Sequence, residues 1–166
     1  MFETERLRLR MMTEDDLDAL RPILSSEIAM KHYPKVLNEE EIRDWICRVM
    51  KRYEIDGHSF WMVELKETCE AIGQCGILTQ HVNGKSEPEI GYLFNPAVWG
   101  NGYATEAAKG CIDYGRKTYG YKRFISLIVP ENQPSINVAL RNGFTLEKTV
   151  PYRDRPEVRV YSIRLK

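Results

Sequence analysis

The sequence predicts an α+β fold, a mixed α/β sheet of about seven strands with helices on both faces. Three observations support this: period-two segments at both ends, helical periodicity behind capping signals, and strands that both precede and follow helices. Leu7, Leu9 and Met11 alternate with Arg6, Arg8 and Arg10, the pattern of a half-exposed strand with a solvated arginine face. Thr13 to Asp16 has the form of a capping box. It opens a helix with Leu17, Leu20 and Leu24 on one side, in which Pro22 is expected to cause a kink or split. Asn38 followed by Glu41 repeats the cap, and Ile42, Trp45, Ile46, Val49, Met50 and Tyr53 then recur at helical spacing until Gly57 stops the helix. Residues 59–66 and 71–79 read as a hairpin pair, 81–88 (HVNGKSEP) as a loop, and 89–94 (EIGYLF) as a buried strand. A glycine-rich turn leads into a long helix that Gly120 ends, and 123–129 (RFISLIV) is an apolar run suited to a central strand. Pro134 fits the first turn of the last helix, Gly143 follows its end, and 144–150 and 157–165 complete the strands. The order is βααβββαβαββ, a single domain over residues 1–166 with no internal repeat or linker.

Composition removes several classes of function. Lys and Arg number 24 and so do Asp and Glu, so no global field gathers nucleic acid or an anionic membrane. The apolar runs are short and MFETERLRLR is no signal sequence, which implies a soluble, unprocessed, cytoplasmic protein. Four cysteines contain no C-x-x-C pair, and the three histidines stand in no ligand spacing to them, so no metal site is expected. The cysteines read as free thiols, with no bridge assigned to Cys69 and Cys75 beside the first hairpin.

The segment WGNGYATEA, residues 99–107, lies between an apolar strand and a long helix. Gly100 and Gly102 let the main chain turn sharply and come close to a ligand, while the first helical turn leaves N–H donors at the positive end of the helix dipole. No P-loop is present, and the third glycine of a dinucleotide-binding fingerprint would fall at Thr105. Considered alone, the turn is either a phosphate cradle or a plain connection.

Together with TERLRLR near the start, EIGYLF, and PENQPSINVALRNGF near the end, this segment resembles the GNAT acetyltransferase superfamily, in particular its ribosomal-protein N-terminal acetyltransferase branch. The resemblance spans nearly the whole chain. In the family's Q/R-x-x-G-x-G/A motif, Trp99, Gly102 and Ala104 occupy the marked positions, with Trp99 in the form familiar from this branch. It implies that acetyl-CoA is the co-substrate, that the backbone of Gly100, Asn101, Gly102, Tyr103, Ala104 and Thr105 holds its pyrophosphate, and that Leu93, Phe94 and Asn132 meet its pantetheine arm.

The reaction needs a neutral amine, a polarised thioester carbonyl and a thiolate that is reprotonated. An α-amino group with pKa near 8 costs about 1.4 kcal/mol to deprotonate at pH 7, and a lysine about 4.6 kcal/mol, so a base matters more for lysine. Glu89, two residues before Gly91, matches a glutamate that acts as base in several relatives, with Asp154 in YRDRP as the rival. The Leu93 N–H is the expected oxyanion donor. The tyrosine that many relatives carry seven positions after the asparagine is Ala139 here. Ser135, at N-x-x-S, resembles the serine of the N-terminal acetyltransferase branch, and that resemblance implies contact with the cofactor sulfur and the role of acid; it also reads as a helix cap, with water or Tyr152 in reserve as the acid. Glu106 reads as a support for its helix N-terminus.

Tyr33, Tyr92, Tyr103 and Tyr152 are candidates for the acceptor cleft, with core packing as the alternative. The expected reaction is direct attack by a primary amine, which a protein N-terminus, a lysine or a small amine would supply. The competing reading is a coenzyme A-binding sensor or assembly module without turnover, suggested by Ala139. A homodimer is compatible with either.

Overall fold

A computed structural model describes residues 1–166. The strands are β1 (Phe2–Glu3), β2 (Leu7–Met11), β3 (Phe60–Leu65), β4 (Ala71–Val82), β5 (Lys85–Phe94), β6 (Arg123–Ile128), β7 (Thr145–Tyr152) and β8 (Arg155–Arg164), and the helices are α1 (Leu17–Leu24), α2 (Glu39–Asp56), α3 (Tyr103–Tyr119) and α4 (Gln133–Arg141). The strands form one 8-stranded sheet in the order β1-β2-β3-β4-β5-β6-β8-β7. Every pairing is antiparallel except that of β5 with β6. The strand beyond the predicted set is β1, too short to give a periodic signal, which pairs with Arg8 and Leu9.

Alternation along the strands sends side chains to both faces of the sheet. On one face Leu7, Leu9, Trp61, Ile77, Ile90 and Phe94 pack against Ala107 and Cys111 of α3 and Ile136 of α4. On the other, Phe60, Met62 and Leu93 pack against Leu20 and Ile23 of α1 and Ile42, Ile46 and Val49 of α2. Gly76 of β4 is required by close approach, because a Cβ there would lie 2.1 Å from the Ser59 carbonyl oxygen and 2.5 Å from Phe60 Cα.

Local signals appear where the sequence places them. Asn38 and Glu41 form a reciprocal capping box, worth about 1 kcal/mol, and Gly57 and Gly120 end α2 and α3 in the left-handed conformation. Four expectations are corrected. The loop at 81–88 is a continuous ladder from Gly73↔Phe94 to Val82↔Lys85, closed by a tight turn in which Asn83 and Gly84 have φ of 49° and 75°. Pro22 lies inside α1 without splitting it. Met11 is 52% exposed. The arginines of β2 and the residue before it are paired and not simply solvated: Arg10 reaches Asp16 at 2.7 Å and Glu64 at 2.6 Å, and Arg6 reaches Glu106 at 2.7 Å. All four cysteines are free; Cys47 and Cys69 are exposed, and buried Cys75 faces Cys111 at 3.5 Å.

Candidate active site

The glycine-rich turn is a donor surface. Gly100 and Gly102 have φ of 81° and 79°, and nothing packs closely where their side chains would be; the nearest atom is an Arg6 guanidinium nitrogen, 3.6 Å from the Gly102 position. Gly102 is the N-cap of α3, and its carbonyl accepts the Glu106 N–H at 3.0 Å. The N–H groups of Tyr103, Ala104 and Thr105 are therefore left without helical acceptors. Asn101 holds the turn from inside through its side-chain amide, which donates to the Val98 carbonyl at 2.8 Å. A brace from the N-terminal segment fixes the start of the helix. The Glu106 carboxylate accepts from the Thr4 hydroxyl at 2.6 Å and from the Arg6 backbone N–H at 2.8 Å. Arg6 also donates to the Asn101 carbonyl at 3.0 Å and lies over the Tyr103 ring. Open αL glycines, aligned free amides and a rigid helix start fit a pyrophosphate.

The second part of the site lies where β5 and β6 part. Their parallel ladder has a single residue pair, Glu89↔Ile125. Beyond it the Ser126 hydroxyl donates to the Ile90 carbonyl at 2.8 Å, and the Leu127 N–H donates to the Glu89 carboxylate at 3.2 Å. Glu89 is 8% exposed, and its other oxygen accepts from the Gln80 amide at 2.6 Å. Burial pushes its pKa up, opposed by the bonds from Gln80 and Leu127 and by the charge of Arg153. Tyr152 in turn donates its hydroxyl to the Gln80 carbonyl oxygen at 2.6 Å, which orients the amide toward Glu89.

Register decides which β5 amides are free. Asn95 N–H donates to the Ile72 carbonyl at 2.9 Å, and the ladder continues without a shift through Gln74↔Leu93 and Gly76↔Gly91. Alternation in an antiparallel pair then commits the Leu93 N–H to Gln74 and turns the N–H of Tyr92 and Phe94 toward the gap beside β6. The Leu93 N–H, the expected oxyanion donor, therefore faces β4 and not the gap. Pro88 falls on the same side as Tyr92, so its missing N–H costs the β4 ladder nothing. The Phe94 carbonyl is taken by the Trp99 indole N–H at 3.0 Å, and Trp99 is otherwise half-exposed.

At the start of α4, Asn132 is the N-cap and accepts the Ser135 N–H at 3.3 Å. Ser135 therefore lies inside the first turn and does not cap the helix, which corrects its structural role. Its carbonyl accepts the Tyr92 hydroxyl at 2.8 Å, and its own hydroxyl lies beside that of Tyr92. Ala139 is buried, 3% exposed. Glu89, Gly91, Tyr92, Asn132 and Ser135 share a cavity of about 710 Å³ with Tyr33, Tyr152 and Asp154. Tyr103 and the glycine turn lie outside it. The residues absent from the sequence reading are Arg6, Gln80 and the Tyr92 amide. All three depend on contacts between distant segments, and only the Asn-Gly turn that pairs Gln80 with Glu87 left a local signal.

These features fit an acyl-CoA-handling site on a mixed sheet. The chain belongs to the GNAT acetyltransferase family: the sequence profile of the acetyltransferase (GNAT) domain matches residues 6–145. It is 36% identical over 154 residues to the protein YkkB of Bacillus subtilis strain 168, covering 92% of this chain and 90% of that one. The crystal structure of the acetyltransferase from Agrobacterium tumefaciens strain C58 is similar at a TM-score of 0.84 and 32% identity, over 98% of this chain and 93% of that one. RimL, a ribosomal L7/L12 α-N-protein acetyltransferase solved with coenzyme A, shares the fold at a TM-score of 0.76 and 21% identity, over 98% and 96% of the two chains. The protein is an acetyl-CoA-dependent acyltransferase of the GNAT type. No helix is long and apolar enough to cross a membrane.

Proposed function

We propose that the protein moves an acetyl group from acetyl-CoA to a primary amine by direct attack in a ternary complex, with the β5–β6 gap as the place of reaction. The observation that carries this reading is the meeting, in one cavity, of the buried Glu89 carboxylate and the Ser135 hydroxyl, beside the gap that receives the spare β5 amides. Bound at the glycine turn, acetyl-CoA supplies an activated thioester carbonyl.

The chain's own groups divide the remaining work. Free N–H groups of Gly102 to Thr105 hold the pyrophosphate, with Trp99, Gly100 and Asn101 shaping the turn. The Tyr92 N–H donates to the carbonyl oxygen as negative charge develops, and the Phe94 N–H meets the pantetheine arm beside the free side-chain nitrogen of Asn132. Glu89 takes the proton from the amine, directly or through water. Its raised pKa makes it a stronger base than an exposed carboxylate, which favours it over Asp154 at the rim. The Ser135 hydroxyl donates a hydrogen bond to the departing sulfur and relays to it a proton taken from water. Protein N-termini, including those of ribosomal proteins, lysines and small amines are all acceptors of suitable chemistry, and a homodimer is compatible with this site. The test is a panel of peptides and amines incubated with acetyl-CoA, read as free thiol and as the mass gain of one acetyl group. A sensor module would bind coenzyme A and release no thiol.

A further inference from the structure

The cavity beside Glu89 carries unbalanced positive charge. Among its lining cations, Arg52 is paired with Asp56 and Lys35 with Glu41. Arg48, Arg153 and Arg155 have no carboxylate within ion-pair distance. Against these three guanidinium groups the lining offers only the buried base, Glu89, and Asp154.

Two of the arginines are held in place by neutral groups. Arg155 donates to the His32 carbonyl at 2.7 Å, and Arg153 lies over the Tyr152 ring at 5.3 Å. Arg153 also occupies a costly backbone position. It is the first of the two residues that join Tyr152 to Arg155 in the β7–β8 hairpin, and its φ is 54°. Glycine or asparagine suits that position, and an arginine there gains nothing from the turn itself. The guanidinium is close enough to Glu89 to oppose the rise in its pKa that burial causes.

We infer that the amine acceptor carries a carboxylate or phosphate group, which Arg153, with Arg48, binds while the amine faces Glu89. This rests on the acetyl-transfer reading for the amine's place but concerns the other end of the acceptor. Planar guanidinium groups bind both anions through paired N–H donors, and neither a polyamine nor an uncharged amine offers them a partner.

Titration calorimetry with coenzyme A at saturation tests the inference without requiring turnover. The probes are β-alanine and phosphoethanolamine, matched against propylamine, ethanolamine and diaminopropane. At least one anionic amine is expected to bind about tenfold tighter than its uncharged counterpart and than the diamine, and the stronger of the two names the anion. Arg153→Gly removes the guanidinium while suiting φ 54°, so it should abolish most of that advantage without lowering the melting temperature. Arg48→Gln should reduce the advantage by a smaller factor. Equal affinity for all probes, no binding of any amine, or an advantage that survives both substitutions overturns the inference. Selective binding without acetylation of any amine leaves it standing and overturns the acetyl-transfer reading instead.

Discussion

The Glu89 carboxylate accepts the Leu127 N–H at 3.2 Å, in the place where a β5 carbonyl would stand if the parallel ladder of β5 and β6 continued. One side chain therefore both closes the end of the ladder and puts a base at the opening. Glu89→Gln keeps an oxygen for Leu127 and removes the base. Turnover should fall by about a hundredfold or more between the pKa of Glu89 and that of the amine, and recover as the amine deprotonates by itself. Initial-rate pH profiles of both proteins check this, and superimposable profiles would assign the role to Asp154.

The same group gives a stability prediction with a definite sign. Because burial raises its folded-state pKa, Glu89 favours folding below its unfolded pKa, and that contribution is lost as pH rises through the folded value. Glu89→Gln should therefore gain stability relative to wild type as pH rises from acid to neutral. Denaturant titrations at a series of pH values measure the difference.

Gly102 is the left-handed N-cap of α3, so any side chain there strains the backbone, and a carboxylate would also oppose a phosphate. Asparagine tolerates the left-handed region and has nearly the same shape. Coenzyme A affinity should fall at least about tenfold further in Gly102→Asp than in Gly102→Asn. Equal losses by calorimetry would place the pyrophosphate elsewhere.

Glu106 ties the N-terminal segment to the cofactor helix. Burial works to raise its pKa, and hydrogen bonds from Thr4 and Arg6 outweigh that and lower it. Its stabilising contribution is present above the unfolded pKa and lost as pH falls through the folded one. With Arg6 half-exposed, Glu106→Gln should cost about 1 kcal/mol at neutral pH and less in acid. Coenzyme A affinity should weaken with it, because Arg6 would lose its anchor beside Asn101.

Ser135→Ala should melt with the wild type, since Asn132 provides the cap. The rate of a single turnover should fall about tenfold, the modest effect expected when the leaving thiol is already acidic. An unchanged rate would leave water or Tyr152 as the acid.

What the sequence revealed was local. The Asn38–Glu41 box, the left-handed ends of α2 and α3, Pro134 in α4 and the glycine turn depend on neighbouring residues, and each lies where the pattern put it. The Tyr92 amide, by contrast, is set by the register of Asn95 on Ile72, a relation between strands that strand composition does not encode. The Arg6–Glu106 pair spans 100 residues, and each partner reads as ordinary surface charge in its own segment. The hairpin at 81–88 has a local signal in Asn83-Gly84, but the polar residues around it lack the apolar alternation that marks flanking strands.

Direct transfer passes the acetyl group from thioester to amine beside Glu89 with no acetylated protein between them. Rapid-quench single turnover, with enzyme in excess over radiolabelled acetyl-CoA and an accepted amine present, follows thiol, acetylated amine and acetylated protein together. Thiol and acetylated amine should appear at one rate and in equal amounts, with no label on the protein at any time and with that rate cut by Glu89→Gln. Label that accumulates on the chain before reaching the amine, or thiol released without acetylated amine, would contradict direct transfer.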